Sequence, residues 1–196
     1  MAKTLIFRRA TDADVPTITR IYNQGIEDRI ATLETQLRTE EERLRWLHGH
    51  SDRYPVFVTE VTDASGSSTD SISRRATVGR ESGPGSACDP AGARVVGWAS
   101  LNQFNPRDAY RYTADFSLYV EREWRGRGVG RFLLEGLIAA AREIGFHKMV
   151  LSAFPWNGAG MALYRRAGFR EVGIFKEMGQ LDGRWVDTVI MEKLLD

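Results

Sequence analysis

The sequence predicts an α/β protein with a mixed central β-sheet flanked by helices. Three observations carry this. Strand-like and helix-periodic stretches alternate in the order β-α-α-β-β-β-α-β-α-β-β. A glycine-rich turn at residues 120–131, V-E-R-E-W-R-G-R-G-V-G-R, links an apolar strand pattern at 116–120 to an amphipathic helix pattern at 129–144. The last two strand patterns are joined by Asp182-Gly183, a hairpin signal, so part of the sheet is antiparallel. With 196 residues, 42% hydrophobic and 27% charged, the chain reads as one domain, 1–196, with a full core.

Each element has a local reason. Residues 4–9 alternate Leu5 and Phe7 with Ile6 and Arg8, as a strand does. Thr11 or Asp12 can cap a helix with Pro16 in its first turn and Val15, Ile18, Ile21, Tyr22 and Ile26 on one face. Residues 29–37 are irregular. Thr39 and Glu42 have capping-box spacing and open a second helix through Arg43, Leu44, Trp46 and Leu47. Pro55 leads into a strand at 56–61.

The segment 62–93 breaks the pattern. It is rich in Ser, Gly, Arg and Asp, has no aromatic residue, and has only Ile72 and Val78 as large aliphatics. It cannot bury enough apolar surface to offset ordering entropy, so a mobile insertion is expected, with a functional lid as the alternative. Strand patterns resume at 94–101 and 114–120, joined by a polar link at 102–113. After the glycine turn, Val129, Phe132, Leu133, Leu137, Ile138, Ala141 and Ile144 keep helical spacing as far as Gly145. A buried strand at 148–153, a short helix at 157–167 stopped at Gly168, and strands at 169–175 and 184–194 complete the chain.

Composition excludes several function classes. A net charge of +1, from 27 basic and 26 acidic residues, gives no reason to expect nucleic acid or a membrane as partner. No apolar run approaches the roughly 20 residues that span a bilayer. The N-terminal residues show no signal-peptide pattern, and the single cysteine, Cys88, excludes an internal disulfide. The expected compartment is the cytoplasm. Cys88 falls in the irregular segment and reads as a surface thiol, not a nucleophile. His48, His50 and His147 lack ligand spacing with any cysteine, so no metal is expected.

The glycine turn is built for phosphate. Gly126, Gly128 and Gly130 permit positive φ and let N–H groups converge. The following helix N-terminus adds free N–H donors and partial positive charge, and Arg125, Arg127 and Arg131 add full charges. A P-loop is excluded because Arg131 and Phe132 follow Gly130, and a Rossmann fingerprint because the spacing is G-x-G-x-G. By itself the stretch also fits a plain strand-to-helix turn.

Beyond that point the chain resembles a known family. Arg125, Gly128 and Gly130 match the R/Q-x-x-G-x-G/A pyrophosphate loop of the GNAT N-acetyltransferases. Residues 157–169, N-G-A-G-M-A-L-Y-R-R-A-G-F, resemble the family's N-x-x-[AS]-x-x-[LF]-Y-x-x-x-G-F signature, with Gly160 at the [AS] position. Residues 109–120, A-Y-R-Y-T-A-D-F-S-L-Y-V, and 179–187, G-Q-L-D-G-R-W-V-D, are similar to the phosphinothricin acetyltransferase branch. That branch acts on phosphinothricin, methionine sulfoximine and arsinothricin, glutamate-like amino acids acetylated on the α-amine. The resemblance covers nearly the whole chain except 62–93. It implies the GNAT fold, acetyl-CoA as co-substrate, a small amino acid as acceptor, and a homodimer.

The resemblance also implies roles. Acetyl-CoA's pyrophosphate would rest on residues Arg125, Gly126, Arg127, Gly128, Val129, Gly130 and Arg131. Its pantetheine arm would lie beside Leu118, Tyr119 and Val120, in the splay between that strand and residues 149–153, with a contact from Asn157. A backbone N–H near Val120 would polarise the thioester carbonyl. Asp115 stands where the branch usually has Glu and is the candidate base, directly or through water. The residues alone also allow an edge-strand Asp paired with Arg107 or Arg111. Tyr164, seven residues after Asn157 and so on the same helix face, is the candidate proton donor to the departing sulfur, with ring packing as the alternative. Asn157 is also a natural N-cap. Arg107 and Arg111 could clamp an acidic acceptor or be solvated loop charges. Trp98, Phe104, Tyr110 and Tyr112 are candidate pocket walls. Other readings of function are acetylation of a polyamine, another amino acid or a protein N-terminus, or acyl-CoA binding without turnover.

Overall fold

The computed structural model describes residues 3–63, 75–78 and 93–195. One eight-stranded sheet runs through it. The strands are β1 (Lys3–Arg9), β2 (Val56–Asp63), β3 (Arg75–Val78), β4 (Arg94–Gln103), β5 (Thr113–Val120), β6 (Lys148–Ala153), β7 (Arg170–Leu181) and β8 (Arg184–Leu194). The helices are α1 (Val15–Glu27), α2 (Glu40–His48), α3 (Val129–Ile144) and α4 (Gly158–Arg166). Spatial order is β3-β1-β2-β4-β5-β6-β8-β7. All neighbours are antiparallel except β5 and β6, which are parallel and joined through α3. The mixed sheet and its crossover are as the sequence predicts.

The strand periodicity of two sorts the sheet into faces. Ala99 and Leu101 of β4 and Ala114 and Phe116 of β5 pack with Leu133, Leu134 and Leu137 of α3. Trp98 packs on the opposite face with Ile18 and Ile21 of α1, and Tyr119 joins that cluster. Asp115 and Ser117 share the parity of Tyr119, so they belong to the α1–α2 face. Gly136 lets α3 sit close on the sheet, since a Cβ there would lie 2.8 Å from the Phe7 ring.

The caps follow the sequence. Thr39 accepts the Glu42 N–H at 3.2 Å, and Glu42 accepts the Thr39 N–H at 2.8 Å. Asp14 accepts the Thr11 N–H at 2.7 Å just before α1. Gly145, the C-cap of α3, and Gly168, one residue past the Ala167 C-cap of α4, both have positive φ. Asp182 and Gly183, both at positive φ, make the last hairpin.

Two expectations change. Within the segment 62–93, residues 75–78 form β3 on the sheet edge against β1, and Asp63 still belongs to β2. The rest of that expectation, including Cys88, lies outside the described residues. The strand expected at 169–175 continues to Leu181 through a register shift between Phe175 and Gly179. Asp187 holds that bulge by accepting the Glu177 N–H at 2.9 Å and bonding Lys176 at 2.7 Å. Glu177 there has φ 51°, which a sequence pattern of period two does not foretell.

Candidate active site

β5 and β6 pair only from Thr113↔Lys148 to Asp115↔Val150. Beyond that point β6 stays with β8 as far as Ala153, while β5 stays with β4 as far as Val120. The two parallel strands therefore part at Asp115, and among the described residues no strand lies beside that edge of residues 116–120. A cavity of about 730 Å³ opens there. Its walls come from the β5 end (Leu118, Tyr119, Val120), the glycine turn, α4, and the region after α1 (Ile30, Ala31).

The turn forms as its glycines require. Gly126 and Gly128 have φ of 75° and 86°, and Gly128 is the N-cap of α3. A Cβ at either position would meet nothing within 4 Å among the described residues. The space in front of the turn is therefore open, and α3 presents its first N–H groups without a capping side chain. Gly130 differs: its Cβ would make ordinary contact with Leu163 at 3.4 Å.

The structure brings most of the expected cofactor residues together. Leu118, Tyr119, Val120, Arg125, Gly126, Gly128, Gly130, Arg131 and Asn157 all line the cavity. Val129 and Arg127 point elsewhere. Val129 is 1% exposed in a core cluster with Trp124, and the Arg127 guanidinium lies 5.6 Å from the Trp124 ring. Val129 can offer a ligand only its backbone. Arg131 is paired with Glu135 at 2.7 Å. Asn157 caps α4 by accepting the Gly160 N–H at 2.9 Å, as its N-cap reading expects, and it also lines the cavity.

Asp115 sits at the fork of the two strands. One carboxylate oxygen accepts the Phe116 N–H at 2.7 Å. Burial pushes its carboxyl up to about 6, against the pull of that bond. Among the described residues it has no salt-bridge partner; Arg111 instead bonds Asp108 and lies 4.6 Å from the Tyr112 ring. The reading of Asp115 as a charge paired with either arginine is thus not what the structure shows. Tyr164 packs edge-on to Phe116 at 5.9 Å and lines the cavity. Burial, with the Asp115 charge nearby, pushes its phenol up to about 12. It therefore holds its proton across the neutral range, and its ring is core-packed as well.

Arg107 and Arg111 are exposed and do not line the cavity. Neither do Phe104, Tyr110 and Tyr112, all exposed on the β4–β5 link. Trp98 is buried and stacked on Tyr119 at 4.8 Å, a packing role. The sequence reading missed a polar strip beside Asp115. Ser100 donates to Asn102 at 2.9 Å and Asn102 donates to Ser117 at 3.1 Å, with Asn102 paired to Asp115 across the ladder. Alternation of Ser117 with Phe116 and Leu118 was the available signal. It also missed Gly25, Ile30 and Ala31 as cavity walls, which carry no local signal at all.

An open glycine turn at a helix N-terminus, a bare strand edge and a mostly apolar slot fit a long ligand that carries phosphates at one end, as acetyl-CoA does. The profile of the acetyltransferase (GNAT) family matches residues 56–169, from the start of β2 to the residue before β7. This chain belongs to the GNAT acetyltransferase family.

Individual GNAT relatives span nearly its whole length. An L-methionine sulfoximine/L-methionine sulfone acetyltransferase of Pseudomonas aeruginosa is 35% identical over 96% of this chain and 94% of its own. The crystal structure of a ribosomal-protein-alanine N-acetyltransferase from Brucella melitensis is 34% identical, with a TM-score of 0.77 over 96% of this chain and 99% of its own. A phosphinothricin acetyltransferase from Sinorhizobium meliloti, solved in complex with acetyl-CoA, is 29% identical, with a TM-score of 0.73 over 96% and 87%. The chain is thus an N-acetyltransferase of the phosphinothricin/methionine sulfoximine branch. Among the described residues no cluster of three metal-ligating side chains occurs, and no helix is long and apolar enough to cross a membrane.

Proposed function

We propose that this enzyme transfers an acetyl group from acetyl-CoA to the α-amine of a small glutamate-like amino acid of the phosphinothricin, methionine sulfoximine or arsinothricin type. The observation that carries the reading is Asp115: a half-buried carboxylate with no cationic partner among the described residues, at the fork where the slot begins. Bound acetyl-CoA supplies the activated acetyl group as a thioester. Residues 125–131 hold its phosphates, and the bare edge of residues 118–120 holds the arm. Asp115 takes the proton from the acceptor's ammonium, better than an ordinary carboxylate would because its affinity for a proton is raised. Tyr164 keeps a proton on its phenol oxygen that it can deliver inside the slot. Arg107 and Arg111, on the link that leads into Asp115, are the proposed readers of the acceptor's acidic group.

A thiol-release assay over a panel of amines tests this. Phosphinothricin and methionine sulfoximine should turn over fastest. Faster turnover of an alanine-terminated peptide would favour the second reading, protein N-terminal acetylation, which the likeness to the Brucella enzyme supports. Binding of CoA without thiol release from any amine would reduce the protein to a non-catalytic module.

The proposal includes a homodimer. β7 is the last strand of the sheet, and Val172, Ile174, Phe175 and Met178 on it are each more than half exposed, as is Trp185 on β8. An apolar edge of that kind calls for a partner surface.

A further inference from the structure

We propose that Asp28 is a positioning residue of this enzyme, acting through Arg125 and Arg122 to hold the phosphate turn ready for the co-substrate. Asp28 is the C-cap of α1, and its N–H bonds the Gln24 carbonyl at 3.0 Å. One carboxylate oxygen pairs with Nη1 of Arg125. The same carboxylate takes Nη2 of Arg122 at 2.6 Å and its Nε at 3.3 Å. The last turn of α1 adds two more grips: Glu27 bonds Arg122 Nη2 at 3.0 Å, and Gln24 accepts the Arg122 N–H at 2.9 Å.

These contacts reach, from 94 to 98 positions away in sequence, the short segment directly before Gly126. They matter because of what Arg125 does. Its Nε donates to the Val120 carbonyl at 3.1 Å, so with Asp28 on Nη1 two sides of the guanidinium are fixed. Arg125 also forms part of the cavity wall. A guanidinium has five donors in a rigid fork. Fixing Nε and Nη1 orients the plane while Nη2 stays unengaged by any hydrogen bond among the described residues. Ordering a long side chain before the ligand arrives removes part of the cost of binding.

The anchor is itself held on its other side. Arg29 follows it with φ 54°, pairs with Asp182 of the β7–β8 turn at 3.1 Å, and accepts the Trp156 indole N–H on its carbonyl at 3.1 Å. Burial alone would raise the Asp28 carboxyl, but the bonds from Arg122 and Arg125 outweigh it and keep the group below its ordinary range. Asp28 is therefore ionised at any working pH.

The inference rests on acetyl-CoA being the donor, and a CoA titration by calorimetry separates the two. Wild-type protein that gives no binding heat would remove both readings. If wild type binds, Asp28→Ala should raise the CoA Kd and the KM for acetyl-CoA roughly tenfold, with kcat changed by less than about twofold. Asp28→Asn, equal in size, should fall between the two and serves if the alanine variant does not fold. S-acetyl-N-acetylcysteamine, a thioester without phosphates, is the control. Its kcat/KM should not change, because Arg125 has no phosphate to meet. An unchanged CoA Kd in both variants overturns the proposal. So does an equal loss on both thioesters, which would mean that Asp28 only supports the fold.

Discussion

A carboxylate that is costly to bury is the residue-scale signature of this site. Asp115 carries a proton affinity raised to about 6 by burial, with only the Phe116 N–H among the described residues to offset it. If it is the base, kcat/KM should fall as pH drops through about 6, because the protonated form cannot accept. Asp115→Asn should lower kcat by roughly 10²–10⁴, and the loss should shrink at high pH, where more amine is already neutral. Tyr164→Phe should lower kcat without that rescue. Near-normal kcat at neutral pH in Asp115→Asn would make the carboxylate structural.

The same shift bears on stability. A carboxyl whose folded pKa exceeds its unfolded value favours the native state when protonated. Its penalty is absent below the unfolded value of 3.8 and complete above about 6. Asp115→Asn should therefore stabilise the fold at neutral pH by up to about 3 kcal/mol, with the gain vanishing near pH 4. Thermal melts at the two pH values read this directly.

At the scale of elements, two glycine positions with opposite needs separate binding from folding. Gly128 has φ 86° and faces open space, so Gly128→Val adds backbone strain and fills the volume before the turn. It should mainly raise the KM for acetyl-CoA. Gly136 sits in the middle of α3 with the Phe7 ring 2.8 Å from any added Cβ. Gly136→Ala should cost about 1–3 kcal/mol of stability through overpacking, with KM values unmoved in the protein that remains folded. Steady-state kinetics beside thermal melts distinguish the two. If Gly128→Val leaves the KM for acetyl-CoA intact, the turn is not the phosphate site.

For the whole molecule, the open question is how the β7 edge is covered. Its apolar residues lie at the end of the sheet, on the hairpin whose turn also meets Arg29. A second copy on that edge should give a particle of twice 22.1 kDa in light scattering at micromolar concentration. Ile174→Glu should return it to 22.1 kDa, since it places a charge on the exposed edge. A monomeric wild type would overturn the dimer.

What the sequence determined by itself is whatever is encoded within a dozen residues. Strand and helix periodicity, the Thr39–Glu42 cap, the Gly145 and Gly168 stops and the Asp182-Gly183 turn are all local, and all appear. So does the glycine turn, because positive φ at Gly126 and Gly128 is a property of those residues. Asp115 and Tyr164 were found through motif likeness, and their separation in sequence said nothing of their nearness. The tertiary structure alone decided the rest. The fork at Asp115 exists because β6 follows β8 while β5 follows β4, a pairing choice made between strands far apart in the chain. The raised proton affinity of Asp115 comes from neighbours that bury it, not from its own type. Arg111 went to Asp108 because a flexible cation on an exposed link takes the nearest carboxylate, whereas Arg125 is held by an aspartate 97 positions away that no local pattern could name.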